Sequence, residues 1–213
     1  MIQFLVQKFI PNWQDTKNPS VRERYGVLAA TVGILSNLLL FLIKILAGLL
    51  AGSISIIADA VNNLSDAGSS VITMLAFKIS GKPADPKHPY GHARMEYISG
   101  MAVSFIIIFL GLQLMGSSFD KILHPQAISL SALTYLILII SVLVKLWQGI
   151  FNRKLGKQIA SESLQATASD SLNDVIATSA VLISAVFYHF TQIPIDGWIG
   201  LLVAGFITFS GIK

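Results

Sequence analysis

Six long apolar stretches alternate with short polar connections along this chain: about Val27–Leu50, Ser53–Phe77, Glu96–Ser117, Leu130–Phe151, Ser163–Phe187 and Trp198–Lys213. A helix needs roughly 20 mainly apolar residues to cross a bilayer, and the first five stretches have that length; the last is shorter. The pattern predicts an all-α integral membrane protein with six transmembrane helices. Ala51-Gly52-Ser53 leaves room only for a tight hairpin between the first two spans. The prolines and glycines between Gly81 and His92 stop any helix there, and Gln192–Gly197 turns the chain into the last span. Ahead of the spans, Ile2, Phe4, Leu5, Phe9, Ile10 and Trp13 mark a piece too short to cross and suited to the interface. Residues 1–25 therefore form an N-terminal segment outside the spans, and residues 26–213 a six-helix transmembrane domain.

Composition points the same way. The chain is 54% hydrophobic and 12% charged, with a mean hydropathy of +0.69, whereas a soluble domain carries about 25% charged residues. Its lack of cysteine excludes disulfides and thiolate metal sites. The basic excess would suit a nucleic-acid partner, but its placement follows the spans. Lys8, Lys17, Arg22 and Arg24 precede the first; Lys78, Lys82, Lys87 and Arg94 separate the second from the third; Arg153, Lys154 and Lys157 separate the fourth from the fifth. The opposite side offers only Lys121. By the positive-inside rule both termini are cytoplasmic, in a multi-pass protein of the cell membrane.

Two spans are interrupted by polar residues. Asp59, Asn62, Asn63 and Asp66 recur at three- and four-residue steps on the second, and Asp170 and Asp174 stand one turn apart on the fifth. Lipid offers such groups no partners, so ionisable residues at this depth mark a functional site. Counted at 1.5 Å per residue, Asp66 lies roughly 16 Å above the cytoplasmic end of its span, and Asp170 and Asp174 roughly 10–18 Å above theirs. The two helices run antiparallel, so Asp66 should oppose Asp170 and Asn62 should oppose Asp174. Four oxygen donors then make a divalent-cation cage. The plainer reading, structural ion pairing, lacks a basic partner at that depth, because Lys145 is placed near a cytoplasmic end, within snorkelling reach. Asn63 reads as an interhelical hydrogen-bonder. Lys44 and Asp59 stand equally far from the hairpin, so a structural pair competes with an ion-path role for Asp59. His124 and His189 read as interfacial, and Gly200 and Gly205 as aids to packing.

At these residues the sequence resembles the cation diffusion facilitator family of metal/proton antiporters, over essentially the whole chain, including the run Ala58-Asp59-Ala60 through Ser65-Asp66. The resemblance implies a transport site of Asn62, Asp66, Asp170 and Asp174. It also implies a peripheral loop site of Asp85, His88 and His92, which otherwise read as ordinary surface residues. It further implies a homodimer and a cytoplasmic C-terminal domain that this chain, a membrane domain only, does not include. Zinc-selective members usually place a histidine among the four transport ligands, and here there is none.

Three carboxylates and one amide give an all-oxygen shell, which suits manganese better than zinc, whose preferred donors are nitrogen and sulfur. Mn²⁺ is the expected cargo, with Zn²⁺, Fe²⁺ and Cd²⁺ as alternatives and no resident cofactor. Carboxylates crowded in a membrane cannot all stay ionised without a cation. Metal binding needs them deprotonated and reprotonation favours release, so one site exchanges metal for protons, by alternating access. An intramembrane aspartyl protease also needs two facing carboxylates, but neither Asp170 nor Asp174 has the Gly-x-Gly-Asp context. A passive divalent-cation channel is the remaining rival.

Overall fold

The computed structural model describes residues 2–51, 54–82, 85, 88–124, 131–193 and 195–212. They form seven helices: α1 (Ile2–Phe9), α2 (Pro19–Ala51), α3 (Ile54–Ser80), α4 (Arg94–Leu123), α5 (Ala132–Gln158), α6 (Glu162–Thr191) and α7 (Asp196–Ile212). Local chemistry sets their ends. Asn18 caps α2, its Oδ1 accepting from the Ser20 N–H at 3.0 Å, with Pro19 in the first helical position where its missing N–H is no loss. Ser131 and Ser161 cap α5 and α6 in the same way, accepting from Thr134 N and Leu164 N. Between α5 and α6 the chain reverses through Ala160 at φ 48°, and Ser161 N donates to Gly156 O at 2.8 Å to close the turn.

Four helices, α2, α4, α5 and α6, are long and apolar enough to cross a membrane. α3 has the length, but its polar stripe lowers its apolarity; α7 is apolar and short. The helices outrun the predicted spans: α2 begins at Pro19 where Val27 was expected, and α5 continues to Gln158 where Phe151 was expected. Gly52 and Ser53 of the predicted hairpin lie outside the described residues.

The chain divides into two compact units. The first comprises residues 1–103 and 148–168, the second 104–147 and 169–213. In the first, Tyr25, Phe77, Phe151, Leu155 and Leu164 are fully buried, and Val6 and Ile10 bring α1 into the same core. Arg22 fastens this core, donating to both oxygens of Glu96 at 3.0 and 3.1 Å and to the Ile159 carbonyl. In the second unit α4 and α7 approach closely. A Cβ on Gly111 would meet Thr208, and one on Gly200 would meet Ser118. Gly205, expected to ease packing too, faces open space. In both units the outward side chains are large and apolar, such as Leu35, Leu46, Phe105, Phe109, Leu143 and Leu202. Buried positions include Asn37, Lys44, Asp66, Lys145, Gln148 and Asp170. Apolar outside and polar inside is the arrangement lipid demands.

The expected Lys44–Asp59 pair is present. Lys44 Nζ lies 2.8 Å from Asp59 Oδ2, with the lysine buried and the carboxylate about one-third exposed. Removing one partner of a buried pair strands the other, whereas removing both leaves nothing uncompensated. Lys44→Ala and Asp59→Ala should each cost about 2 kcal/mol, less than for a fully buried pair because Asp59 is about one-third exposed. The double variant should regain much of that in thermal unfolding in detergent. Additive losses would show that the two do not act as a pair.

Candidate metal centre

In the first unit the polar stripe of α3 turns inward. Asn63, Asp66, Ser69, Ser70 and Thr73 are all buried, and Asn62 is half-buried. The hydroxyls of Ser69 and Ser70 both donate to the backbone oxygen of Asp66, at 2.9 and 3.0 Å, so they do not use its carboxylate. Asn62 and Asp66 share a helical phase but not the same depth of burial. Asn63, expected to bond between helices, instead donates from Nδ2 to the Asp59 carbonyl one turn back, at 2.8 Å. Local capture by the i−4 carbonyl is the competitor that wins for short polar side chains in a helix.

In the second unit α6 presents Asp170, buried, and Asp174, half-buried. Between them Asn173 donates to Ser210 Oγ on α7 at 2.9 Å, which fixes the rotation of α6 against its neighbour. Lys145 overturns an expectation. It is 4% exposed, and its ammonium donates to Asp174 Oδ2 at 2.7 Å. The reason is a partner: the buried ammonium is answered by a carboxylate on the neighbouring helix, so a basic group does stand at the level of Asp174. Asn62 and Asp66 belong to the first unit, Asp170 and Asp174 to the second.

The loop triad is assembled within the first unit. Asp85 Oδ1 accepts from the backbone N–H of His88 at 2.7 Å and lies 3.1 Å from its Nδ1, while Asp85 Oδ2 is 3.6 Å from His92 Nε2. The three donor atoms lie within 4.8 Å of one another. Ligands on a tetrahedral ion with bonds near 2.1 Å stand roughly 3.4 Å apart, so small side-chain rotations would close the set. Two imidazoles and a carboxylate are donors that zinc accepts. Asp85 and His88 are exposed and His92 is half-buried. Pro83, Ala84, Pro86 and Lys87 of this loop lie outside the described residues. Of the two interfacial histidines, His124 does have a neighbour, Asp120, at 3.3 Å one turn back on α4, and His189 stacks edge-on against Phe190.

Residues 30–213 match the family model of the cation efflux transmembrane domain. The chain is 32% identical over 179 residues to the manganese efflux system protein MneS of Bacillus subtilis, covering 82% of this chain and 62% of that one. It is 31% identical over 173 residues to an uncharacterised transporter of Methanocaldococcus jannaschii, covering 81% and 61%. To the cation-efflux pump FieF of Pectobacterium carotovorum it is 26% identical over 190 residues, covering 89% and 63%. The chain thus spans about three-fifths of the length of the curated relatives it matches.

The loop geometry yields its own test. Replacing Asp85, His88 and His92 together with alanine should remove one bound Zn²⁺ or Mn²⁺ per chain in equilibrium dialysis, with transport largely kept. Unchanged stoichiometry would show that the triad holds no ion.

Proposed function

The chain belongs to the cation diffusion facilitator family, and from that premise we propose that it exports Mn²⁺ from the cytoplasm across the cell membrane in exchange for protons. The observation that carries this reading is the all-oxygen character of the four candidate ligands. Asn62 and Asp66 on α3 and Asp170 and Asp174 on α6 lack any imidazole or thiolate, and hard oxygen ligands favour manganese over zinc. The name of the Bacillus subtilis relative supports the same cargo. Zn²⁺, Fe²⁺ and Cd²⁺ remain the alternative cargoes.

In this reading α2 to α7 are six spans with both ends of the chain cytoplasmic, residues 1–25 form the cytoplasmic N-terminal segment, and the working transporter is a homodimer. Asp66 meets Asp170, and Asn62 meets Asp174, when the four close on an ion near mid-membrane. Lys145 contributes to the charge balance: its ammonium beside Asp174 offsets one carboxylate charge, and the ion competes with it for Asp174 each time it binds. Protons return to the carboxylates when the ion leaves. Proton-rich surroundings favour release and proton-poor cytoplasm favours loading. Rocking of the helices about the site would open it to alternate sides.

The decisive variants remove single ligands. Asp66→Ala, Asp170→Ala and Asp174→Ala should each reduce Mn²⁺ transport by about 100-fold or more while leaving insertion intact, since loss of even a residue behind a ligand costs about 10–100-fold. Asn62→His should shift competition toward Zn²⁺ by supplying an imidazole. Wild-type uptake by a well-inserted Asp170→Ala protein would sink the site assignment, and an unchanged Mn²⁺/Zn²⁺ ratio in Asn62→His would place selectivity elsewhere.

A further inference from the structure

α2 and α3 pack antiparallel in a fixed register. A Cβ on Gly26 would overlap the Phe77 ring, one on Gly33 would lie 2.7 Å from Ser70 Oγ, and Lys44 pairs with Asp59 at 2.8 Å. From Gly26 to Gly33 the chain advances seven residues, and from Phe77 to Ser70 it returns seven. From Gly33 to Lys44 it advances eleven, and from Ser70 to Asp59 it returns eleven. Three contacts therefore share one register. One turn beyond Gly33 on α2 stands Asn37, and one turn before Ser70 on α3 stands Asp66. The register sets these two residues level with each other on the contacting faces.

Asn37 is 1% exposed, and its Oδ1 finds no hydrogen-bond partner among the described residues. An acceptor left empty in a protein interior is destabilising, and such positions call for an explanation. In sequence Asn37 follows Ser36 in an otherwise apolar run with Leu35, Leu38, Leu39 and Leu40. No requirement of helix formation puts an asparagine there. An amide oxygen is a ligand for hard divalent cations, which take about six oxygens.

We propose that Asn37 is a fifth oxygen ligand of the transported ion, supplied by α2 beside Asp66. This rests on the reading that Asp66 holds that ion. The carbonyl dipole adds coordination without adding charge. It also raises the coordination number beyond the four that zinc prefers, which makes Asn37 a specificity residue for manganese.

Purified full chains in detergent, titrated with Mn²⁺ and with Zn²⁺ against a fluorescent chelator, test the assignment. Asn37→Leu should weaken Mn²⁺ binding about tenfold or more, with a markedly smaller change for Zn²⁺. Asn37→Asp, which keeps an oxygen at the same reach, should retain Mn²⁺ binding. Thermal unfolding identifies folded variants, and if Asn37→Leu does not fold, Asn37→Ser is judged by the same two affinities. A purely structural asparagine would leave the Mn²⁺/Zn²⁺ ratio unmoved. A folded variant with wild-type Mn²⁺ affinity or an unchanged ratio overturns the proposal. Asp66→Ala in the same titration separates the layers. Loss of binding there, with none in the Asn37 variant, removes Asn37 alone; wild-type binding in Asp66→Ala removes the site reading beneath it.

Discussion

A charge inside a membrane must be answered by the protein that carries it, because hydrocarbon supplies neither water nor counter-ions. This constraint orders the interior of the molecule. Lys44 lies against Asp59 and Lys145 against Asp174, at 2.8 and 2.7 Å. Serine hydroxyls along α3, α5 and α6 return to carbonyls of their own helices, as at Ser70, Ser141 and Ser184. Between helices in lipid there is no hydrophobic driving force, so close backbone approach and polar contacts hold the pairs. Gly26 and Gly33 provide the first at the α2–α3 contact, and the Lys44–Asp59 pair provides the second.

The two lysines have different consequences. Lys44 meets an aspartate that water partly reaches, near the hairpin end of α2 and α3, and its effect is on stability. Lys145 meets an aspartate of the proposed ion cage. If Asp174 holds the transported ion, the Lys145 ammonium beside it is a tethered competitor for the metal.

The sequence carried the helical class, the membrane setting and the Lys44–Asp59 pair, because apolar run length and equal distance from a tight hairpin are both properties of a line of residues. Lys145 was misjudged because its distance from a span end says nothing of which carboxylate a neighbouring helix brings against it; that partner, Asp174, is set by packing. Asn63 was misjudged for another reason: a carbonyl one turn back is always in reach, while an interhelical partner depends on packing that spacing alone cannot supply. Asn37 was within reach of the hairpin count that found Lys44 and Asp59. The same count places it level with Asp66, and an asparagine in a run of leucines was the signal. The loop triad came from the family resemblance and not from its spacing, which alone reads as ordinary surface; the structure brings its three donor atoms within 4.8 Å of one another.

If the four proposed ligands exchange a divalent ion for protons, proteoliposomes containing the chain, loaded with a pH-sensitive dye and given Mn²⁺ outside with a pH difference across the bilayer, report both fluxes at once. Mn²⁺ uptake should rise with the opposing proton gradient and be accompanied by protons leaving as ions enter. Mn²⁺ entry at the same rate with and without the gradient, and with no proton counterflow, would contradict the exchange and leave a channel in its place.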